Sequence, residues 1–216
     1  MNIDPVATIG AVIREVASRE HLGKPARAVI ATRRYDTDMD DLWDALTSAE
    51  RIPRWFLPIS GDLKLGGRYQ FEGNAGGEIT RCEPPRLLSV TWEYGGGVSW
   101  LTATLQDDTA GGTRLELEHL AHVEDGLWDR FGPGAVGVGW DLALMGLARH
   151  LASGAAVDRA AAMAWSASDE GKRFMRGSSE AWGRASITAG TDETAAQAAA
   201  ARTSAFYCGE PSGGGS

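Results

Sequence analysis

At 216 residues, with 43% hydrophobic and 23% charged residues, the chain has room for one ordinary domain plus an extension around a real core. A net charge of -8 and the lack of any Lys/Arg block argue against nucleic-acid binding. Two widely separated cysteines, Cys82 and Cys208, make no disulfide framework. An opening at Asp4-Pro5 without a basic-then-apolar pattern predicts a cytoplasmic protein rather than a secreted one.

Residues 4–20 read as an amphipathic helix within an N-terminal segment 1–24. Asp4 caps it, Pro5 suits its first position, Val6, Ile9, Ile13 and Val16 recur at helical spacing, and Gly23 follows its end. Arg27 to Tyr35 is strand-like. Asp36 to Asp41 then supplies a cap and an acidic first turn for a helix presenting Leu42, Trp43 and Leu46. Between residues 60 and 120 the period changes to two. Extended runs at 67–72, 77–83, 87–94, 98–106 and 113–120 are separated by hairpin-sized breaks, which predicts an antiparallel meander. After a loop holding Trp128 and Phe131, a long helix over about 135–153 carries Val136, Trp140, Leu144, Leu147 and Leu151 along one face. The apolar region 131–148 is broken by Asp141 and five glycines, so it reads as a buried core helix and not as a membrane span. Such a stripe must lie across the sheet, and a twisted sheet leaves room beneath it.

The remaining chain, 154–208, is an Ala-rich helical extension. Ser168-Asp169-Glu170 opens one helix, on which Phe174, Met175, Ser178, Ala181, Trp182 and Ala185 share a face. Gly190 ends it, and Thr191 to Glu193 opens another reaching Phe206 and Tyr207. Its large rings predict docking on the core or on a second subunit. Residues 209–216 read as a flexible tail.

Several of these stretches together resemble one family. They are Leu42-Trp43-Asp44-Ala45-Leu46-Thr47-Ser48 with Ile52-Pro53-Arg54-Trp55-Phe56, Leu65-Gly66-Gly67-Arg68-Tyr69, Glu83-Pro84-Pro85-Arg86-Leu87 running into Val90-Thr91-Trp92, Gly112-Thr113-Arg114-Leu115-Glu116-Leu117, and Gly139-Trp140. The set resembles the SRPBCC (START and birch-pollen-allergen) superfamily, in the branch related to the C-terminal domain of the activator of heat-shock-protein-90 ATPase. The resemblance covers about residues 27–152 and implies an α+β helix-grip fold over 25–153, a curved antiparallel sheet around a long helix. The superfamily hosts ligand carriers, cyclases, hydrolases and co-chaperone-like modules, so the resemblance fixes no single function.

Candidate chemistry is sparse. Gly132-Pro133-Gly134-Ala135-Val136-Gly137 satisfies G-x-G-x-x-G, with Asp158 about twenty residues on. No strand precedes it and no parallel strand follows, so glycines at a helix start explain it better than a dinucleotide site. His119 and His122, near Glu116, Glu118, Glu124 and Asp125, lie three apart on a strand and point to opposite faces, which predicts no metal centre. If Leu115 and Leu117 face inward, so does His119. No nucleophile elbow is present. Asp141, flanking an apolar stripe, needs a donor, and an Arg on a neighbouring strand such as Arg68 or Arg81 is its expected partner. The other reading makes Asp141 a polar anchor inside a cavity.

The reading that follows is a cavity between sheet and long helix, walled by Trp55, Phe56, Trp92, Trp100, His119, Trp140, Asp141 and Leu144. It would hold a small hydrophobic or amphipathic molecule, with no cofactor, no metal and no catalytic residue assigned. Two alternatives stand beside it. One, which the resemblance implies, is a chaperone-activator-like protein-interaction module acting through its surface and C-terminal helices, with a protein partner or self-association through residues 155–207. The other is a cyclase- or hydratase-type enzyme using Asp141 or His119.

Overall fold

The computed structural model describes residues 4–123 and 126–211. In chain order these form α1 (Pro5–Gly10), β1 (Val12–His21), β2 (Lys24–Tyr35), α2 (Met39–Thr47), a 3-10 turn (Ile52–Arg54), β3 (Ile59–Gly61), β4 (Arg68–Phe71), β5 (Gly76–Glu83), β6 (Leu87–Tyr94), β7 (Gly97–Asp107), β8 (Thr113–His122), α3 (Leu127–Phe131), α4 (Gly134–Ser153), α5 (Arg159–Ala167), α6 (Asp169–Thr188) and α7 (Glu193–Tyr207). The strands make one open sheet in the order β1-β2-β8-β7-β6-β5-β4-β3, the α+β helix-grip architecture. Contacts divide the chain into two compact units. A helical unit takes Met1–Ala31, Val123–Leu142 and Asp158–Ser216; a sheet unit takes Thr32–His122 and Ala143–Val157.

The N-terminal expectation fails. The helix stops at Gly10, and Val12–His21, read as helical, is strand β1. Val12, Ile13 and Val16 are β-branched and favour a pleated surface. Over residues 12–16 the burial alternates as a strand requires, with Val12 buried and Ile13 63% exposed. Gly23 ends no helix. With Leu22 it forms the two-residue turn between β1 and β2, both residues at positive φ (51° and 72°), as a type I′ hairpin demands. The short strand β3 also escaped the sequence reading, being only three residues long.

In the sheet unit, β3 to β8 pair antiparallel throughout, as the meander predicts. Register sorts the side chains. Val90 faces Leu101, Leu88 faces Ala103, and Leu101 faces His119, so these share one face with Trp92, Ser99, Leu105, Leu115 and Leu117. That face buries Leu105 and Leu115 to 1% exposure. A core of Ile52, Tyr69, Phe71, Ile79 and Val90 continues it, with Phe56, Leu88, Trp92 and Leu101 packed against it. The C-terminal half of α4 belongs to this unit. Leu144 and Leu147 are buried, Tyr35 Oη donates to the Leu144 carbonyl at 3.3 Å, and a Cβ at Gly146 would stand 2.6 Å from the Trp55 carbonyl. The buried positions of α4, which include Val138, Ala143, Leu144, Met145 and Leu147, are spread around its circumference, while Val136 is exposed. It is a helix covered on most sides and not a single-striped one.

In the helical unit, α6 packs on α7, α1, β1 and α5. Phe174, Met175, Ser178, Ala181, Trp182 and Ala185 are all buried, the face the sequence assigns to α6. The tail 209–216 is described only to residue 211, and residues 212–216 lie outside the described residues.

Candidate ligand-binding face of the sheet

The eight predicted wall residues are divided between the two units and, in the sheet unit, between the two faces of the sheet. Five of them, Trp55, Phe56, Trp92, His119 and Leu144, lie within the sheet unit, with Trp92 and His119 on the core face of the sheet. Trp100 is also in that unit but pairs with Thr91 and Leu120, which puts it on the opposite face, where its ring stands 4.9 Å from that of His122. The same alternation separates His119 from His122, so the two imidazoles diverge as the strand period requires. Glu124 and Asp125, considered with them, lie outside the described residues.

On the core face the rings form a file. Trp55 and Phe56 have centroids 5.6 Å apart, Phe56 meets Phe71 edge-on at 5.0 Å, Phe71 meets Trp92 at 5.7 Å, and Trp92 meets His119 at 6.1 Å. Trp55, Phe56 and Trp92 are only half-buried. Trp55 is fixed by its indole N–H, which donates to the Ala45 carbonyl on α2 at 2.8 Å.

The file ends on a polar pair. His119 Nε2 lies 2.7 Å from Ser99 Oγ, and Ser99 Oγ lies 3.1 Å from the Trp92 carbonyl. A carbonyl only accepts, so Ser99 Oγ is the donor to Trp92, and in the Nε2–H tautomer His119 donates to Oγ. Burial pushes the His119 pKa down to about 4, so the ring is neutral. Ser99, missed in the sequence reading, is the polar neighbour that satisfies His119.

Asp141 lies in the helical unit and is closed off. Its Oδ2 accepts from Arg14 Nε at 3.0 Å, from Trp182 Nε1 at 3.1 Å and from the Ser178 hydroxyl. The expected Arg partner on a strand is real, but it is Arg14 on β1. Arg68 pairs with Glu93 and Arg81 with Glu83. Arg14 could not be proposed while β1 was read as a helix. Its guanidinium also donates to the Ile9 and Val12 carbonyls and lies 5.8 Å from the Trp182 ring centroid. Burial pushes the Asp141 carboxyl up, while Arg14, Ser178 and Trp182 pull it back. Asp141 therefore anchors α6 to α4, and with both oxygens buried it offers no acid to a substrate. Of the two residues named for the cyclase or hydratase reading, Asp141 is tied up by Arg14, and His119 meets a polar side chain, Ser99. Trp140, beside Asp141 on the same helix, is half-buried.

The glycine-rich start of α4 has a packing explanation. Gly132 closes α3 at φ 60°. A Cβ at Gly134 would stand 2.9 Å from Thr203 Cγ2 of α7, and one at Gly137 would enter the indole of Trp182 on α6. The motif is the seat of the C-terminal helices and not a phosphate cradle.

Residues 36–152 match the family described as Activator of Hsp90 ATPase homolog 1-like protein, more than half of the chain, and the chain belongs to this family. Among solved structures, CalU16 from Micromonospora echinospora is similar. Its crystal structure is 35% identical over 81% of this chain and 98% of its own, with a TM-score of 0.66. Its solution structure is 34% identical over 83% and 97%, with a TM-score of 0.69. These matches reach beyond residues 36–152, so the likeness includes part of the flanking chain. Protein MLL2253 from Mesorhizobium loti shares the fold at 24% identity and a TM-score of 0.52, over 58% of this chain and 97% of its own. No curated protein matches. Family and fold fit a ligand-binding domain, and among the described residues no helix is long and apolar enough to cross a membrane.

Proposed function

We propose that the sheet unit binds an apolar or amphipathic small molecule against its core face, with Trp55, Phe56, Trp92, His119 and Leu144 as contacts. The observation that carries this reading is the file of half-buried rings ending on the His119–Ser99 pair. Large rings left partly in water forgo burial worth about 25 cal/mol per Å² of apolar surface, which an apolar guest would recover. The polar pair at one end would orient a guest that carries a hydrogen-bonding group. Native mass spectrometry after a screen of lipophilic compounds tests it. A saturable adduct is expected, and Trp92→Ala should weaken it at least tenfold, the equivalent of about 1.4 kcal/mol. A screen without any adduct, or an adduct indifferent to Trp92→Ala and Phe56→Ala together, overturns it.

Exposed apolar side chains on the extension favour a second reading, contact with another protein or another copy through residues 155–207. Met163 is 75% and Phe206 66% exposed. Deleting the extension is a poor test, because Ser178 and Trp182 would leave Asp141 with it. The sharper test is the solution mass of the Met163→Glu/Phe206→Glu double variant by sedimentation. A lower mass than the unaltered chain supports self-association, and equal monomer masses remove it.

A further inference from the structure

The helical unit holds a pocket of about 450 Å³ that the sheet reading does not use. That volume lies in the range of small-molecule sites. Its lining includes the indole of Trp128, the ring of Phe131 and alanine methyls of α7, Ala195 and Ala199 among them. The lining also carries the polar side chains of Arg27, Asp129, Ser179, Ser186 and Thr191.

Two donors interrupt that lining. Arg27, on β2, stands with Cζ 5.8 Å from the Trp128 ring centroid, held by a bond from Nη1 to Ser18 Oγ. Its Nε–H is buried without an acceptor, and among the described residues no carboxylate lies within ion-pair distance of its guanidinium. Thr191 is the second donor. Ser186 Oγ donates to Thr191 Oγ1 at 2.9 Å, so the Thr191 hydroxyl has its own proton left to give. The one acid among the described lining residues, Asp129, is exposed, where water screens its charge.

We propose that this pocket is a second binding site, for a compact aromatic molecule bearing one carboxylate. The ring lies against Trp128 and the α7 alanines, and the carboxylate takes the Arg27 guanidinium, assisted by Thr191. An aromatic guest matches the lining because indole and methyl surfaces offer contact area without further polar demands. A carboxylate matches Arg27 because a planar guanidinium with no acidic partner among the described residues can bind a planar anion through two parallel bonds.

The test is an amide-shift titration of the full-length, isotope-labelled chain with indole-3-acetate and, as the neutral counterpart, indole-3-acetamide. Saturable shifts are expected at Gly132, Gly183 and Thr191, with Gly76 and Ser99 of the sheet unit unmoved. Arg27→Gln should weaken the carboxylate about tenfold and leave the amide unchanged. Ala195→Trp, at an exposed position of α7, should fill the pocket and abolish both. Absence of saturable shifts at these three amides overturns the proposal. So does an Arg27→Gln effect equal for acid and amide, or binding that survives Ala195→Trp.

Discussion

The two units solve the burial of polar groups in opposite ways. In the sheet unit the buried imidazole of His119 is neutral, bonded to a hydroxyl and set among rings and aliphatic side chains. In the helical unit an ion pair is buried outright, with Arg14 and Asp141 side chains 6% and 1% exposed and three elements meeting on one carboxylate oxygen. A neutral buried group asks only for a hydrogen-bond partner, whereas a buried charge asks for a counter-charge and excellent geometry. The helical unit is therefore the one with a single point of failure.

The largest expected effect tests that contrast directly. Asp141→Ala leaves Arg14 buried without its counter-charge and should cost about 3–5 kcal/mol in urea unfolding. The double variant Arg14→Met/Asp141→Leu should regain most of the loss. A double variant as unstable as the single one would show that the pair's worth is not electrostatic.

The sheet unit should reveal itself through pH. The His119 pKa is about 4 in the fold against an ordinary 6.5, so between those values the unfolded chain binds the proton and the folded chain does not. Stability is full above about pH 6.5 and falls as the pH drops toward 4, by about 3 kcal/mol in all. His119→Gln should flatten that slope, and an unchanged slope would reassign it to other groups. A smaller effect belongs to Gly137→Ala, whose methyl would press into Trp182 and cost about 1–3 kcal/mol by thermal unfolding.

Much of this was readable in the chain itself, for reasons that can be named. β6 alternates cleanly and has a tight turn at each end, so its limits are those expected, and α6 declares itself by a cap, an acidic first turn and a continuous face. β1 was hidden because Val6, Ile9, Ile13 and Val16 also fit a helical period, while the β-branched run Val12-Ile13 pointed the other way. The inward position of His119 followed from parity with Leu115 and Leu117. The outward position of Trp100 did not, because parity across a hairpin needs the turn. Once Gly95-Gly96 is known as the two-residue turn between β6 and β7, Trp92 must oppose Ser99, and Trp100 falls on the far face. The partner of Asp141 lies 127 residues away, a distance no local pattern spans.

That separation has a consequence for descent. One carboxylate oxygen joins a residue of the first strand to two residues of the penultimate helix, so positions 14, 141, 178 and 182 form a unit of inheritance. A relative that sheds the terminal helices cannot keep an aspartate here at no cost. Relatives without α6 should carry uncharged side chains at both 14 and 141, and those that retain the helix should exchange the four positions together.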